Sequence, residues 1–295
     1  MRIIKIFFCI YIFFSFSHSE KKKVITNFKN LKFDDLDIPS VIPDPNEKNS
    51  NIISLDELNA IKKRAKEFIP NPISDSDVIV METMMGKIEF KFYNNSAPKH
   101  CLNFKKLCNS GYYDNTLFHI IIKDFMIQGG DILTLDSNPD NDGLGGPGWS
   151  IDAELNDIKH DMGTLSMFRT KELNSAGSQF FICLDQYPHL DGEYTAFGYI
   201  INGENILKMI SSMSTEYDQA FSLSESRVPD NQDNDNWVEV YNPKTDKIRY
   251  SKIPDFIDKN AYRDEINKKF RNYYKPTAPI IIYKIRVINS NNEKK

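Results

Sequence analysis

The chain has 295 residues, of which 40% are apolar and 26% are charged, and its formal net charge is −4. This length and composition are typical of a soluble globular protein of one or two domains with a sizeable core. The negative charge argues against a basic face for nucleic acid, so no nucleic-acid partner is expected.

The first 19 residues have the pattern of a secretory signal peptide. Arg2 and Lys5 precede an apolar run over 6–16, and Ser17 and Ser19 provide a small-x-small cleavage site. A membrane anchor is the alternative reading, but the run is shorter than the ~20 residues that span a bilayer. We therefore expect cleavage after residue 19. The mature chain would enter the secretory pathway (the ER lumen, the exterior, or an organelle reached through it), with no membrane partner.

Residues 20–76 are interpreted as an N-terminal extension with one amphipathic helix. Ser54 and Glu57 form a capping box that opens a helix over 54–68. Its apolar stripe consists of Leu58, Ile61, Ala65 and Phe68. We expect this stripe to pack on the protein's own domain, with docking into a partner's groove as the alternative.

Residues 77–290 are predicted to form one domain of mainly β structure. A hairpin over 78–92 turns at Gly86, and helices are expected at 98–108, capped by Ser96, and at 204–213. Five further strands are expected at 118–122, 125–128, 164–168, 179–183 and 196–200. Short strands at this spacing, with glycine-rich turns, indicate a closed barrel.

The segment 214–278 interrupts this pattern. It is rich in Asn, Asp, Lys and Tyr, and its composition predicts a polar insertion with at most local order around Trp237. The apolar run 280–287 then predicts the last strand of the domain, and residues 291–295 form a tail.

Two motifs suggest cofactors, but their context is wrong. The glycines of 143–148 fit the dinucleotide fingerprint, yet a polar loop precedes them and no helix follows. A calcium loop starting at Asn138 would need a carboxylate at its twelfth residue, which is Trp149. His119 and His189 lack neighbours at zinc-ligand spacing. No cofactor and no metal are expected.

Covalent modification is expected at one position. Asn94 begins an Asn-x-Ser triplet between a predicted strand and a predicted helix, which makes it a candidate glycosylation site. Cys101, Cys108 and Cys183 are the cysteines that remain after cleavage, and we interpret all three as small buried hydrophobes.

Two signatures about fifty residues apart resemble the cyclophilin family of peptidyl-prolyl cis-trans isomerases. The first is FHIIIKDFMIQGGD at 118–131, and the second is GSQFFIC at 177–183, followed by Leu190-Asp191-Gly192 and Phe197-Gly198. Residues 167–176 resemble the bacterial-like, single-domain branch. The resemblance implies an eight-stranded antiparallel barrel capped by two helices, and it covers about 78–213 with the strand after 279.

The resemblance also implies a groove that binds proline-containing peptides or unfolded proteins. The proline pocket is expected from Phe125, Met126, Phe181 and Leu190, and peptide hydrogen bonds from Gln128 and Gln179. Other positions expected in or along the groove are His119, Gly143, Phe168, Arg169, His189 and Tyr194. Among all of these, the catalytic group is His119, Phe125, Gln128 and Phe181.

One departure from the family bears on activity. The position at which the family has its catalytic arginine is Ile120, which cannot donate a hydrogen bond to the prolyl nitrogen. Lys123 and Arg169 are the nearest cations in sequence, and neither is at the donor's position. Removing one transition-state donor typically lowers the rate ~10²–10³-fold. The sequence therefore predicts an isomerase with reduced activity, or alternatively a Pro-peptide binding module or scaffold.

Three more departures concern the inhibitor cyclosporin. His189 replaces the tryptophan of the cyclosporin-sensitive branch, Tyr194 replaces its histidine, and Phe168 replaces a small alanine on the groove floor. The resemblance implies that cyclosporin binding is weak.

Overall fold

The structure is a computed structural model that describes residues 53–291. The predicted signal peptide, the first part of the extension and the last four residues lie outside this range. None of the helices in the described part is long and apolar enough to cross a membrane.

An eight-stranded antiparallel sheet forms the body of the molecule. In chain order its strands are β1 (Asp77–Thr83), β2 (Gly86–Phe92), β3 (Ile120–Ile122), β4 (Met126–Gly129), β5 (Thr164–Met167), β6 (Phe180–Cys183), β7 (Thr195–Asn202) and β11 (Ile282–Asn289), while β8 to β10 belong to the segment between β7 and β11. Across the sheet they lie in the order β11-β1-β2-β7-β5-β6-β4-β3.

The sheet curls, but its ladder does not close, which corrects the prediction of a closed barrel. The end strands β3 and β11 share no ladder. Among the described residues, an isolated bridge between Leu117 and Ile281 joins the segments that precede them. The physical reason is that β3 has only three residues and that the N–H of Ile121, in its middle, donates to the carbonyl of Tyr274 at 2.8 Å instead of to β11.

Alternating apolar residues create the core. On β1 and β2, Ile79, Met81, Ile88 and Phe90 are fully buried. Two helices cover this core, as the resemblance implies: α2 (Pro98–Asn109) packs on β7 and β11, and α3 (Glu204–Ser211) packs on β2, β3 and β4. Helices and sheet thus share one apolar interior, and the opposite face of β3, β4 and β6 is left for a site.

The N-terminus of α2 differs from the prediction that Ser96 caps it. The N-cap residue is Ala97, which has no capping side chain. Instead, the carboxylate of Glu154 accepts hydrogen bonds from the backbone N–H groups of Lys99 at 3.0 Å and His100 at 2.9 Å. A residue 55 positions away therefore satisfies the first turn of the helix.

The extension contributes helix α1 (Leu55–Glu67), which begins with the capping box of Ser54 and Glu57. Leu58 and Ala65 are buried in the same core as the sheet. At the helix end, the Arg64 guanidinium donates to the carbonyl of Ser110 at 2.7 Å. Helix α1 is thus an integral part of the described structure.

Residues 214–278 fold into a small α/β unit, which corrects the expectation of a polar segment with little order. Its elements are α4 (Glu216–Ser222), β8 (Ser224–Glu225), β9 (Trp237–Asn242), β10 (Lys247–Lys252) and α5 (Lys259–Arg271). The buried core of this unit consists of Tyr217, Ala220, Val238, Val240, Tyr262, Ile266 and Phe270. Composition concealed this core because few apolar residues, placed at strand and helix spacing, suffice for a unit of this size.

Candidate functional site

Strand register brings three of the predicted site positions into one row. Ile120 on β3 is directly opposite Gln128 on β4, and Gln128 is directly opposite Phe181 on β6. Directly opposed residues of antiparallel strands point to the same face of the sheet. Ile120, which is half-buried, therefore shares a face with Gln128 and Phe181, the residues predicted to bind the peptide and to line the proline pocket.

An apolar cluster occupies this face. Phe181, Cys183 and Leu190 are its buried members. Around them pack the half-buried side chains of Phe125, Met126, Phe168, Tyr187 and Tyr194. The structure thus brings together every apolar residue predicted for the groove. It adds Tyr187, which the signatures did not include.

Aromatic contacts define the walls of the cluster. The Phe125 ring meets Tyr187 edge-on at 4.6 Å and stacks with His189 at 5.9 Å between centroids. On the other side, Phe181 meets Tyr194 edge-on at 5.5 Å. His189 is exposed, so this ring covers Phe125 from the solvent side. Such edge-on and offset pairs hold the rings in fixed orientations around an apolar space.

A chain of amides borders the cluster. Gln128 donates from Nε2 to Oε1 of Gln179 at 2.9 Å. Gln179 in turn donates from Nε2 to the carbonyls of Gly143 and Gly145, each at 2.9 Å. Gly143 has a φ of +96°, and its N–H donates to the Asp131 carboxylate. The predicted hydrogen-bonding residues are therefore held by a glycine-rich loop.

His119 lies beside this loop. Its ring is 4% exposed, and neither ring nitrogen has a hydrogen-bond partner among residues 53–291. Burial lowers the pKa of His119 below its ordinary value, while the carboxylates of Asp131 and Asp142 oppose that shift. A Cβ on Gly143 would lie 3.7 Å from the imidazole. Burial therefore favours the neutral form of the His119 imidazole, which lies beside the loop that carries Gly143.

Arg169 is committed to contacts away from Ile120. Its Nε and Nη2 donate to the carbonyl of Glu193 at 3.2 and 3.0 Å, and its guanidinium lies over the Tyr194 ring at 5.0 Å. These contacts fix Tyr194 at the groove wall. They engage the donors that would be needed to replace the family's arginine.

His160 supports the floor of the cluster and was not identified from the sequence. Its ring stacks on Phe181 at 6.1 Å, and it contacts Asp191 through Nδ1 at 3.2 Å and Ser166 through Nε2 at 3.0 Å. Burial lowers the pKa of His160. Ser166 is fully buried and donates to the Thr195 carbonyl, so this Ser-His-Asp arrangement serves packing. A histidine three residues before Gly163, just ahead of β5, carried no distinguishing signal.

Within the described part of the chain, the site contains neither an activated nucleophile nor a group of side chains that could bind a metal ion. Burial raises the pKa of the Cys183 thiol to about 12, so it is protonated at pH 7. No group of three His, Cys, Asp or Glu side chains in residues 53–291 could hold a metal ion. The arrangement therefore offers a partly exposed apolar cluster with amide groups at its border.

Comparisons with known proteins agree with this geometry. Residues 78–228 match the protein family described as cyclophilin type peptidyl-prolyl cis-trans isomerase. A peptidyl-prolyl cis-trans isomerase of Synechococcus elongatus is 44% identical over 134 residues, which are 45% of this chain and 86% of that protein. The isomerase cypE of Dictyostelium discoideum is 39% identical over 145 residues, which are 48% of this chain and 88% of that protein.

Among solved structures, this chain is similar to a cyclophilin type isomerase of Cryptosporidium parvum, determined in the presence of the dipeptide Ala-Pro. The identity is 29% and the TM-score is 0.48, with 72% of this chain and 98% of that chain covered.

Proposed function

Because the chain belongs to the family of cyclophilin-type peptidyl-prolyl cis-trans isomerases, we propose that it isomerises X-Pro bonds of proteins that fold in the secretory pathway, at a reduced rate. The observation that carries this proposal is the apolar cluster around Phe181, bordered by the amides of Gln128 and Gln179. Proline-containing peptides or unfolded proteins are its substrates.

Such a pocket suits the reaction because isomerisation needs no nucleophile. Rotation about the X-Pro bond has a barrier of ~18–20 kcal/mol, which comes from amide resonance. A protein lowers this barrier when it binds the twisted amide more tightly than either planar form. Phe125, Met126 and Phe181 supply an apolar surface for the proline ring, and Gln128 supplies a polar group for the peptide backbone.

The rate is reduced because Ile120 offers no hydrogen-bond donor. Ile120 shares a face and a register row with Gln128 and Phe181. A hydrocarbon there leaves the prolyl nitrogen of the twisted amide unsupported, which typically costs ~10²–10³ in rate. This departure is what makes the chain a divergent member of its family.

The proposed compartment depends on residues 1–19, which have the signal-peptide pattern and lie outside the described range. Asn94 fits the same compartment. It lies in a turn between β2 and α2, and its neighbours Asn95 and Ser96 are exposed. Glycosylation of Asn94 in a eukaryotic secretory host is therefore part of the proposal.

The experiment is a protease-coupled isomerisation assay with the mature chain, residues 20–295. We expect turnover of an Ala-Pro peptide above the uncatalysed rate, and loss of that turnover in Phe125→Ala. Phe256→Ala is the matched control because this phenylalanine is fully exposed and lies outside the cluster. Absence of turnover at any protein concentration would contradict the proposal.

A Pro-peptide binding module or scaffold is the second candidate. It is favoured by one observation, the hydrocarbon of Ile120 in the same register row as Gln128, beside the apolar cluster. Saturable peptide binding without turnover would identify this function. Absence of binding would leave the sheet with a purely structural role.

A further inference from the structure

The loop that borders the groove is held from two sides. We define the groove loop as residues 136–145. On its inner side, the carbonyls of Gly143 and Gly145 accept from Gln179, which accepts from Gln128. Any shift of the groove loop therefore moves the two amides that border the peptide site.

On its outer side, the insertion contacts the groove loop through Lys275. The ammonium of Lys275 donates to the carbonyl of Pro139 at 2.7 Å and to the carboxylate of Asp142 at 3.0 Å. The Asp142 side chain is 6% exposed and that of Lys275 is 24% exposed. A charge-assisted contact that is this well covered from water is stronger than a surface ion pair.

Backbone hydrogen bonds fix the position of Lys275. The carbonyl of Tyr274 accepts from the N–H of Ile121 at 2.8 Å, and the carbonyl of Lys275 accepts from the N–H of Glu216 at 2.8 Å. The first bond attaches the end of the insertion to β3, next to Ile120. Tyr274 and Lys275 together therefore connect β3, the insertion and the groove loop.

A second lysine offers a comparison within the same contact. Lys268 on α5 reaches Asp140 of the groove loop at 2.8 Å, but these side chains are 53% and 58% exposed. Water screens such a pair, which typically contributes ~0–1 kcal/mol. The two lysines thus make chemically similar contacts to one loop with different burial.

We propose that Lys275 is a positioning residue for peptide binding, through which the insertion holds the groove loop and orients Gln179 and Gln128. The inference rests on the proposed function, because it assigns the insertion a role at the same groove. It gives residues 214–278, most of which lie outside the family match, a part in substrate binding.

The test compares Lys275→Met with Lys268→Met in the mature chain. A Pro-peptide is titrated into each protein, and the side-chain amide signals of Gln128 and Gln179 are followed by NMR. We expect Lys275→Met to raise the peptide Kd about 2- to 30-fold, the range for a contact in a coupled network. Lys268→Met should change the Kd by about twofold at most, as an exposed pair does. Lys275→Arg keeps the positive charge and should have the same Kd as the parent.

A purely structural role would lower Tm but leave the Kd of the folded protein unchanged. If Lys275→Met is folded and its Kd and amide signals match the parent, the proposal is overturned. If Lys275→Met does not fold, Asp142→Asn is used instead, because it weakens the same contact from the loop side. The proposal is then overturned if the Kd and the amide signals of Asp142→Asn match those of the parent. A parent protein that binds no peptide would overturn the proposed function. The side-chain amide signals of Gln128 and Gln179 can be recorded without peptide, so they would still test whether Lys275 orients these amides.

Discussion

At the scale of residues, the sequence resemblance and the strand register agree on where Ile120 lies relative to the predicted site. The resemblance predicts that Ile120 stands at the family's arginine position, and the strand register places Ile120 in the row of Gln128 and Phe181. This assignment was predictable because a signature of fourteen residues fixes each position along β3 and β4. The commitment of Arg169 to Glu193 was not, because it depends on contacts between segments far apart in the chain.

Replacing Ile120 with arginine should restore the missing donor. We expect kcat/KM of Ile120→Arg to rise about 10²-fold, the scale of one transition-state donor. Affinity for a ground-state peptide should change much less, since the hydrogen bond strengthens only as the amide twists. A protease-coupled assay measures the rate.

Tm must be measured beside the rate, because Ile120 is half-buried and an unpaired guanidinium there would destabilise the fold. A folded Ile120→Arg protein no faster than its parent would refute the proposal that Ile120 lowers the rate. Phe168, packed against the apolar cluster, would then be the next residue to replace.

His189 should limit the affinity for cyclosporin. It is exposed and stacks on Phe125, but an imidazole offers a smaller face than an indole. We expect weak binding by the parent and tighter binding by His189→Trp, measured by calorimetry. Nanomolar affinity of the unmodified protein would show that this position does not decide inhibitor binding.

At the scale of elements, local sequence patterns predicted the features that depend on interactions between residues near each other in the chain. The hairpin, the short strands and the capping box of α1 lie within about two residues of their predicted positions, since side-chain alternation and caps are local. The cap of α2 was wrongly predicted because Glu154 reaches it from a distant loop. The insertion's core was missed because its apolar residues are separated by polar turns.

The capping box of α1 offers a direct test of one element. Ser54→Ala removes the side chain that accepts from the Glu57 N–H. We expect a loss of about 1 kcal/mol in the free energy of unfolding, the usual cost of an N-cap. Lys63→Ala on the exposed face is the control. Denaturant unfolding that shows equal stability of Ser54→Ala and its parent would mean that α1 frays independently of the domain.

At the scale of the molecule, the insertion should be dispensable for the fold although it is ordered. Its ends are adjacent, because Thr215 pairs with Pro276 and Thr277 donates to the Ser214 carbonyl at 3.0 Å. Its core residues are separate from those of the main sheet. A short linker can therefore replace it at little entropic cost.

A variant that joins Met213 to Pro279 through a short Gly/Ser linker should melt cooperatively. It should also bind a Pro-peptide more weakly, since the contacts of Tyr274 and Lys275 are lost. Calorimetry gives both quantities. An insoluble or molten variant, beside a folded parent, would show that residues 214–278 belong to the core of the domain.

Exchange NMR of a Pro-peptide mixed with the mature chain decides whether this protein isomerises X-Pro bonds, because one sample reports both binding and isomerisation. We expect saturable shifts of the peptide signals. We also expect the rate of cis–trans exchange of the peptide to rise in proportion to protein concentration. The exchange rate per molecule of protein should be lower than that of Ile120→Arg. Shifts without added exchange would mean a binding module, and the absence of both would contradict a peptide-binding groove in this protein.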